Sequence, residues 1–123
     1  VIVSIVTSAP PAWHEIVTER FDITVGETIS AEDIDGAGKP APDVYEHAAD
    51  VLGIDPADCL VVEDSKNGVE AGKRAGMTVI AYRSGPNDDT DLSAADVVVD
   101  GSAELHSEIR RRTGLSKWGR YCR

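Results

Sequence analysis

The apolar residues of this chain gather in short runs rich in β-branched side chains, which limits the fold more than any other feature. Residues 1–6 (VIVSIV), 59–62 (CLVV), 78–82 (TVIAY) and 97–99 (VVV) are too short for buried helices. They are also too continuously apolar for strands with one face in water. Such runs read as strands buried on both faces, the environment of a parallel sheet. The stretches between them carry helix signals. Pro10 and Pro11 suit a first helical turn, with Trp13, Ile16 and Val17 as its apolar stripe and Glu19-Arg20 at its end. Residues 23–25 read as a further short strand and 26–41 as loop. Pro42 and Asp43 open a helix with Val44, Ala48, Val51 and Leu52 along one side. Gly53 is placed to close it in a left-handed cap, with Ile54 as the apolar follower. Asp55-Pro56 starts a turn.

After residues 59–62 comes Glu63-Asp64, then a helix through residues 67–75 that Gly76 ends. Gly68, Gly72 and Ala75 on that helix are small, so its backbone can lie close to a sheet. Ser102 is placed to cap a last helix carrying Leu105 and Ile109. Alternation of this kind predicts an α/β fold with a Rossmann-like, mostly parallel sheet. With 123 residues the expectation is one domain over residues 1–112 and an irregular tail over 113–123. The opening run has no basic lead-in, so the chain is expected to begin inside a strand, without a leader.

Charge narrows the function. There are 22 acidic against 12 basic residues, a formal net charge of -10, so nucleic acid and anionic membrane are poor partners. The run Arg110, Arg111 and Arg112 reads as a solvated helix face. No apolar run approaches the ~18 residues that span a bilayer. Cys59 and Cys122 read as reduced, non-catalytic thiols of a cytoplasmic protein. His14, His47 and His106 have no partners at metal-ligand spacing and read as surface or structural.

Ligands of open parallel sheets bind at the carboxyl ends of the strands. There the sequence puts Thr7-Ser8 after the first strand, Lys39 in the loop after the second, and Glu63-Asp64-Ser65 after the third. A hydroxyl with backbone N–H groups before a helix holds phosphate oxygens, and a lysine adds a compact positive charge. Two adjacent carboxylates suit magnesium, which prefers hard oxygen ligands. Taken singly, Thr7-Ser8 reads as a helix cap, Lys39 as a solvated lysine, and Glu63-Asp64 as a capping pair. Taken together, in this order on this scaffold, they read as a phosphate and metal site.

The stretches SIVTSAP, GKPAPDVY and VVEDSKNGVEAGKRAGM carry a resemblance as well. In that order they resemble the second half of a haloacid dehalogenase-like hydrolase, nearest the phosphoglycolate phosphatase and β-phosphoglucomutase branch. The resemblance covers residues 3–109. It implies phosphoryl transfer through an aspartyl-phosphate, with Mg2+ as cofactor and a small phosphorylated metabolite, a sugar phosphate by the Glu-Asp form, as substrate. By position it gives Thr7 and Lys39 the catalytic and phosphate-binding roles. Ser8 adds its backbone N–H, Glu63 and Asp64 hold the metal, and Ser65 supports the turn.

The family's nucleophile motif, Asp-x-Asp-Gly followed by Thr or Val, follows a buried strand. Asp33-Ile34-Asp35-Gly36 matches it in composition only. The preceding GETISAE is polar and reads as no central strand, and three residues between Asp35 and Lys39 leave no room for the rest of the motif and a cap domain. The chain is therefore expected to lack the nucleophile, the first strand and the cap, and to be inactive alone. The absent strand would lie between those ending at Thr7 and Asp64, leaving a slot for an N-terminal segment or a second chain. A non-catalytic phosphate-binding module on the same fold is the alternative. A receiver-type signalling domain fits less well, since it would place its acidic pair before the Thr/Ser and the lysine.

Overall fold

The computed structural model describes residues 4–7, 27–30, 34–83 and 88–113, and in the first two stretches the backbone and the Ile29 side chain. Strands β1 (Ser4–Thr7) and β2 (Glu27–Ser30) come first. Then follow helix α1 (Asp43–Leu52), a 3-10 turn (Pro56–Asp58), strand β3 (Leu60–Glu63) and helix α2 (Lys66–Arg74). Strands β4 (Thr78–Tyr82) and β5 (Val97–Val99) and helix α3 (Ser102–Thr113) complete the order.

Every ladder among the described residues is parallel. β1 pairs with β2, Thr7 opposite Ser30, while β3, β4 and β5 form a second sheet in that order. Among the described residues no ladder joins β1 to β3, the position where the sequence predicts a slot. Helix α1 spans the division, packing on β1, β2 and α2. The β-branched strands follow period two across the sheet. On β4, Val79 and Ala81 join the core under α1 and α2, while Ile80 and Tyr82 join Val99, Leu105 and Ile109 under α3. On β3, Val61 is buried but Val62 is 45% exposed. An exposed valine on a strand whose second edge is unpaired among the described residues is unusual for a parallel sheet, whose strands are normally covered on both faces.

Local chemistry explains the helix ends. Gly53 adopts φ 66°, and the N–H groups of Gly53 and Ile54 donate to Asp50 and Ala49, closing α1 as predicted. Asp55 caps the 3-10 turn by accepting from the Ala57 N–H at 2.9 Å. Gly72 lets α2 sit on the sheet, because a Cβ there would lie 2.8 Å from Cγ2 of Val79. The loop after β4 is pinned by Leu92, which is fully buried, and by the Arg83 guanidinium, which donates to the carbonyls of Asp88 and Thr90.

Three sequence expectations need correction. The segment 26–41 is not all loop, because β2 occupies Glu27–Ser30. Ile29 is buried in the core, and among the described residues the ladder of β2 runs to β1. Val51 does not join the buried stripe of α1. Val44, Tyr45, Ala48 and Ala49 form it, and Val51 is left exposed in the last turn. Ser102 is the first residue of α3 rather than its cap; the Glu104 carboxylate reaches back to the Asp100 N–H instead. The expected helix at 10–20, the strand at 23–25 and residues 114–123 of the tail lie outside the described residues.

Candidate functional site

Glu63 ends β3 and aims its carboxylate back beneath the first turn of α2. That path exists only because residue 68 is glycine. A Cβ at Gly68 would overlap the Glu63 carboxylate carbon and both its oxygens. Ser65 caps α2 by accepting from the Gly68 N–H at 3.0 Å, and its hydroxyl donates to Glu63 Oε2 at 3.4 Å. The Glu-Asp-Ser-x-x-Gly sequence is thus a single local device. Strand end, cap and glycine together hold one carboxylate in place.

Lys39 reaches the same carboxylate from another element. Its Nζ donates to Glu63 Oε1 at 2.5 Å, with side-chain exposures of 13% and 9%. The buried Tyr45 on α1 donates its hydroxyl to that same oxygen. The Tyr45 ring lies under the ammonium, 5.0 Å from Nζ to centroid, a cation–π distance. Burial, then the neighbouring Glu63 charge, pushes the Tyr45 hydroxyl well above its ordinary range, so it remains a neutral donor. The Lys39 loop is fastened twice. Arg74 on α2 donates to the Pro40 carbonyl at 3.0 Å, and the Ala37 N–H donates to Asp43 at 3.2 Å.

Lys39, Ser65, Lys66 and Asn67 line an open depression of about 390 Å³ at the start of α2. An ammonium group, a hydroxyl, a second lysine and an amide beside free helical N–H groups make a chemically anion-attracting surface. Asp64 is exposed beside it and makes no hydrogen bond or ion pair among the described residues. The acidic pair therefore divides. Glu63 turns inward and is engaged, whereas Asp64 faces solvent with its oxygens open. No cluster of three or more His, Cys, Asp or Glu side chains able to hold a metal occurs among the described residues.

The structure thus brings Lys39 and Glu63 into contact, with Asp64 and Ser65 adjoining. Thr7 is the last residue of β1; its side chain, and Ser8 altogether, lie outside what is described. In the Asp33–Gly36 stretch, Asp33 is also outside. Asp35 is exposed on a loop, and Gly36 is needed where the chain presses on Asp43, where a Cβ would collide with that carboxylate. The loop reading is corrected, since β2 does precede Asp33, but among the described residues β2 pairs with β1 alone, so no central strand leads into this stretch. The short spacing from Asp35 to Lys39 is unaffected by that correction. Tyr45, Lys66, Asn67 and Arg74 were not singled out from the sequence. The available signal for Tyr45 was its helical spacing to Ala48 and Ala49, which puts it on the buried face next to the lysine loop.

Residues 2–76 match the haloacid dehalogenase-like hydrolase family of hydrolases. The chain belongs to that family. A bifunctional riboflavin kinase/FMN phosphatase of Arabidopsis thaliana is 41% identical over 108 residues, which are 88% of this chain and 25% of that protein. A β-phosphoglucomutase of Bacillus subtilis is 38% identical over 72 residues, 58% of this chain and 30% of the relative. Among solved structures, a family hydrolase from Deinococcus radiodurans with bound phosphate and sodium superposes with a TM-score of 0.79 at 28% identity. It covers 92% of this chain and 53% of its own. The chain therefore spans about a quarter to a third of such curated relatives and about half of the solved neighbour. The α/β fold and the enzyme family of phosphatases and phosphomutases agree with the sequence-based expectation. No helix among the described residues is long and apolar enough to cross a membrane.

Proposed function

We propose that these residues form the phosphate-gripping part of a magnesium-dependent phosphatase acting on a small phosphorylated metabolite, with sugar phosphates as the leading class. The observation that carries this reading is the Lys39 ammonium held at the mouth of an anion-attracting depression by Glu63 and Tyr45. Lys39 meets the transferring phosphoryl group, and the Thr7 hydroxyl and the Ser8 N–H are assigned to the same group from the sequence. A preorganised charge aimed at the phosphoryl oxygens lowers the barrier because little reorientation is needed during reaction. The relatives named above act on phosphorylated small molecules by their names, which favours this class over a non-catalytic module.

The acidic pair fits magnesium in part. Asp64 offers open carboxylate oxygens, and magnesium usually binds through one or two carboxylates while keeping several waters. Glu63, assigned with it to the metal from the sequence, has Oε1 engaged by Lys39 and Tyr45, so its direct share falls to Oε2. When bound, the ion supplies neutralising charge to the phosphoryl oxygens.

No residue described here is placed as the attacking carboxylate. We assign that role to a strand outside these 123 residues, docking between β1 and β3. The edge of β3 that is unpaired among the described residues supports this, because its backbone N–H and C=O groups are open to a further strand. These residues alone are then inactive, and the completing strand comes from the same polypeptide or a second chain. A cytoplasmic location fits the free thiol of Cys59.

Initial rates of phosphate release from a panel of phosphate monoesters, with and without Mg2+, test the proposal on the natural full-length protein. Turnover should require the ion, and Lys39→Ala should lower kcat by about 10²–10³-fold, as for loss of a preorganised oxyanion donor. Near-normal turnover in Lys39→Ala contradicts it. Phosphate binding without turnover of any ester favours the non-catalytic module.

A further inference from the structure

We infer that Tyr45 is a positioning residue that sets where the Lys39 ammonium points, acting both through Glu63 and through its own ring. The inference rests on the phosphatase reading for its effect on rate, and on geometry for everything else. Glu63 Oε1 takes two donors, Lys39 Nζ and Tyr45 Oη, so the tyrosine hydroxyl fixes the direction from which the lysine can approach. The ring adds a second restraint, since Nζ stands 5.0 Å above its centroid. Tyr45 is 4% exposed, locked among Val44, Ala48 and Ala49 on the face of α1 that meets the core. A side chain this confined has little rotamer freedom to lend to its partners.

A lysine stem is long and flexible, and an ammonium group has no preferred donor direction. A salt bridge alone would leave Lys39 to swing about Glu63, and the carboxylate itself could rotate. The tyrosine removes both freedoms. Its hydroxyl pins the shared oxygen, and its ring closes one side of the ammonium, so the open side is the depression lined by Ser65, Lys66 and Asn67. Tyr45 touches no reacting atom in this scheme; it acts on the residue that does.

The test uses the natural full-length protein and two independent readouts on Tyr45→Phe, which keeps the ring and loses the hydroxyl. The first is the kcat and KM split with p-nitrophenyl phosphate and Mg2+. The second is the rate of reductive methylation of Lys39 by formaldehyde and borohydride, followed by peptide mass mapping, which needs no turnover. We expect kcat to fall about tenfold with KM nearly unchanged, and Lys39 to be methylated about tenfold faster, the scale of one lost hydrogen bond to a charged group. Unchanged Lys39 methylation overturns the inference whatever happens to turnover. If the unsubstituted protein releases no phosphate, the phosphatase reading fails, and the methylation rates still decide the role of Tyr45. Should Tyr45→Phe not fold, Glu63→Gln reads the same ladder from its other end. It keeps an acceptor for Tyr45 but removes the charge, and it too should speed Lys39 methylation; an unchanged rate again overturns the inference.

Discussion

Replacing Gly68 by alanine offers a sharp test, because helix propensity and local geometry predict opposite signs. Gly68 lies in the first turn of α2. On propensity alone, alanine in a helix is favoured over glycine by up to ~1 kcal/mol. Here the new Cβ would fall on the Glu63 carboxylate. A free carboxylate at the end of a flexible side chain would swing aside at little cost. This one is held by Lys39 and Tyr45 on one oxygen and by Ser65 on the other. Hydrogen bonds to charged groups are worth roughly 1.5–3 kcal/mol each, and breaking a buried pair costs up to about 3–5 kcal/mol. Even partial displacement should outweigh the propensity gain, for a net loss of about 1–3 kcal/mol. Urea unfolding of four proteins measures it: unsubstituted, Gly68→Ala, Glu63→Ala and the double variant. With Glu63 truncated the obstacle is gone, and Gly68→Ala should become neutral or stabilising by up to ~1 kcal/mol. An equal cost in both backgrounds, or a stabilising effect with Glu63 present, refutes the reasoning.

Two further outcomes follow from contacts outside the Glu63 cluster. Asp96 accepts from the Val79 N–H at 2.7 Å and pairs with Lys73, which together hold its carboxyl below the usual range despite some burial. A depressed folded value means stability present above the unfolded pKa and lost as pH falls through the folded one. Asp96→Ala should therefore cost about 1–2 kcal/mol at neutral pH, and the gap to the unsubstituted protein should narrow below about pH 4 in denaturant titrations. An equal gap at low pH contradicts this. Arg74→Ala removes the clamp on the Pro40 carbonyl and should raise hydrogen exchange in residues 36–41 while costing under ~1 kcal/mol of global stability; unchanged exchange there assigns the loop's order to other contacts.

How much was legible from residues alone depended on whether local pattern or assembled packing decides the feature. β3, β4 and β5 announce themselves because a short β-branched run has few other fates in a chain this polar. Helix α1 ends where Gly53 and Ile54 say it should, since a left-handed cap is a local matter. Strand β2 reads as loop because Glu27, Thr28 and Ser30 carry no apolar signal, and the burial of Ile29 matters only once α1 lies against the strand. Val51 was misjudged for the opposite reason. It is apolar and at helical spacing, yet the last turn of α1 leaves it uncovered. At the site, Lys39, Glu63 and Asp64 were recognisable by type and order. That Glu63 would turn inward toward Lys39 and Tyr45 while Asp64 turned outward was not, because the split depends on the missing Cβ of Gly68. Thr7 and Ser8 remain expectations of the sequence alone.

The most direct measurement is a crystal structure of the natural full-length protein grown with inorganic phosphate and Mg2+. A phosphate oxygen within ~3 Å of Lys39 Nζ, the Thr7 hydroxyl on the same phosphate, and the cation on Asp64 are the expected result. Phosphate bound elsewhere, with Lys39 turned away from the depression beside Ser65 and Asn67, contradicts the account.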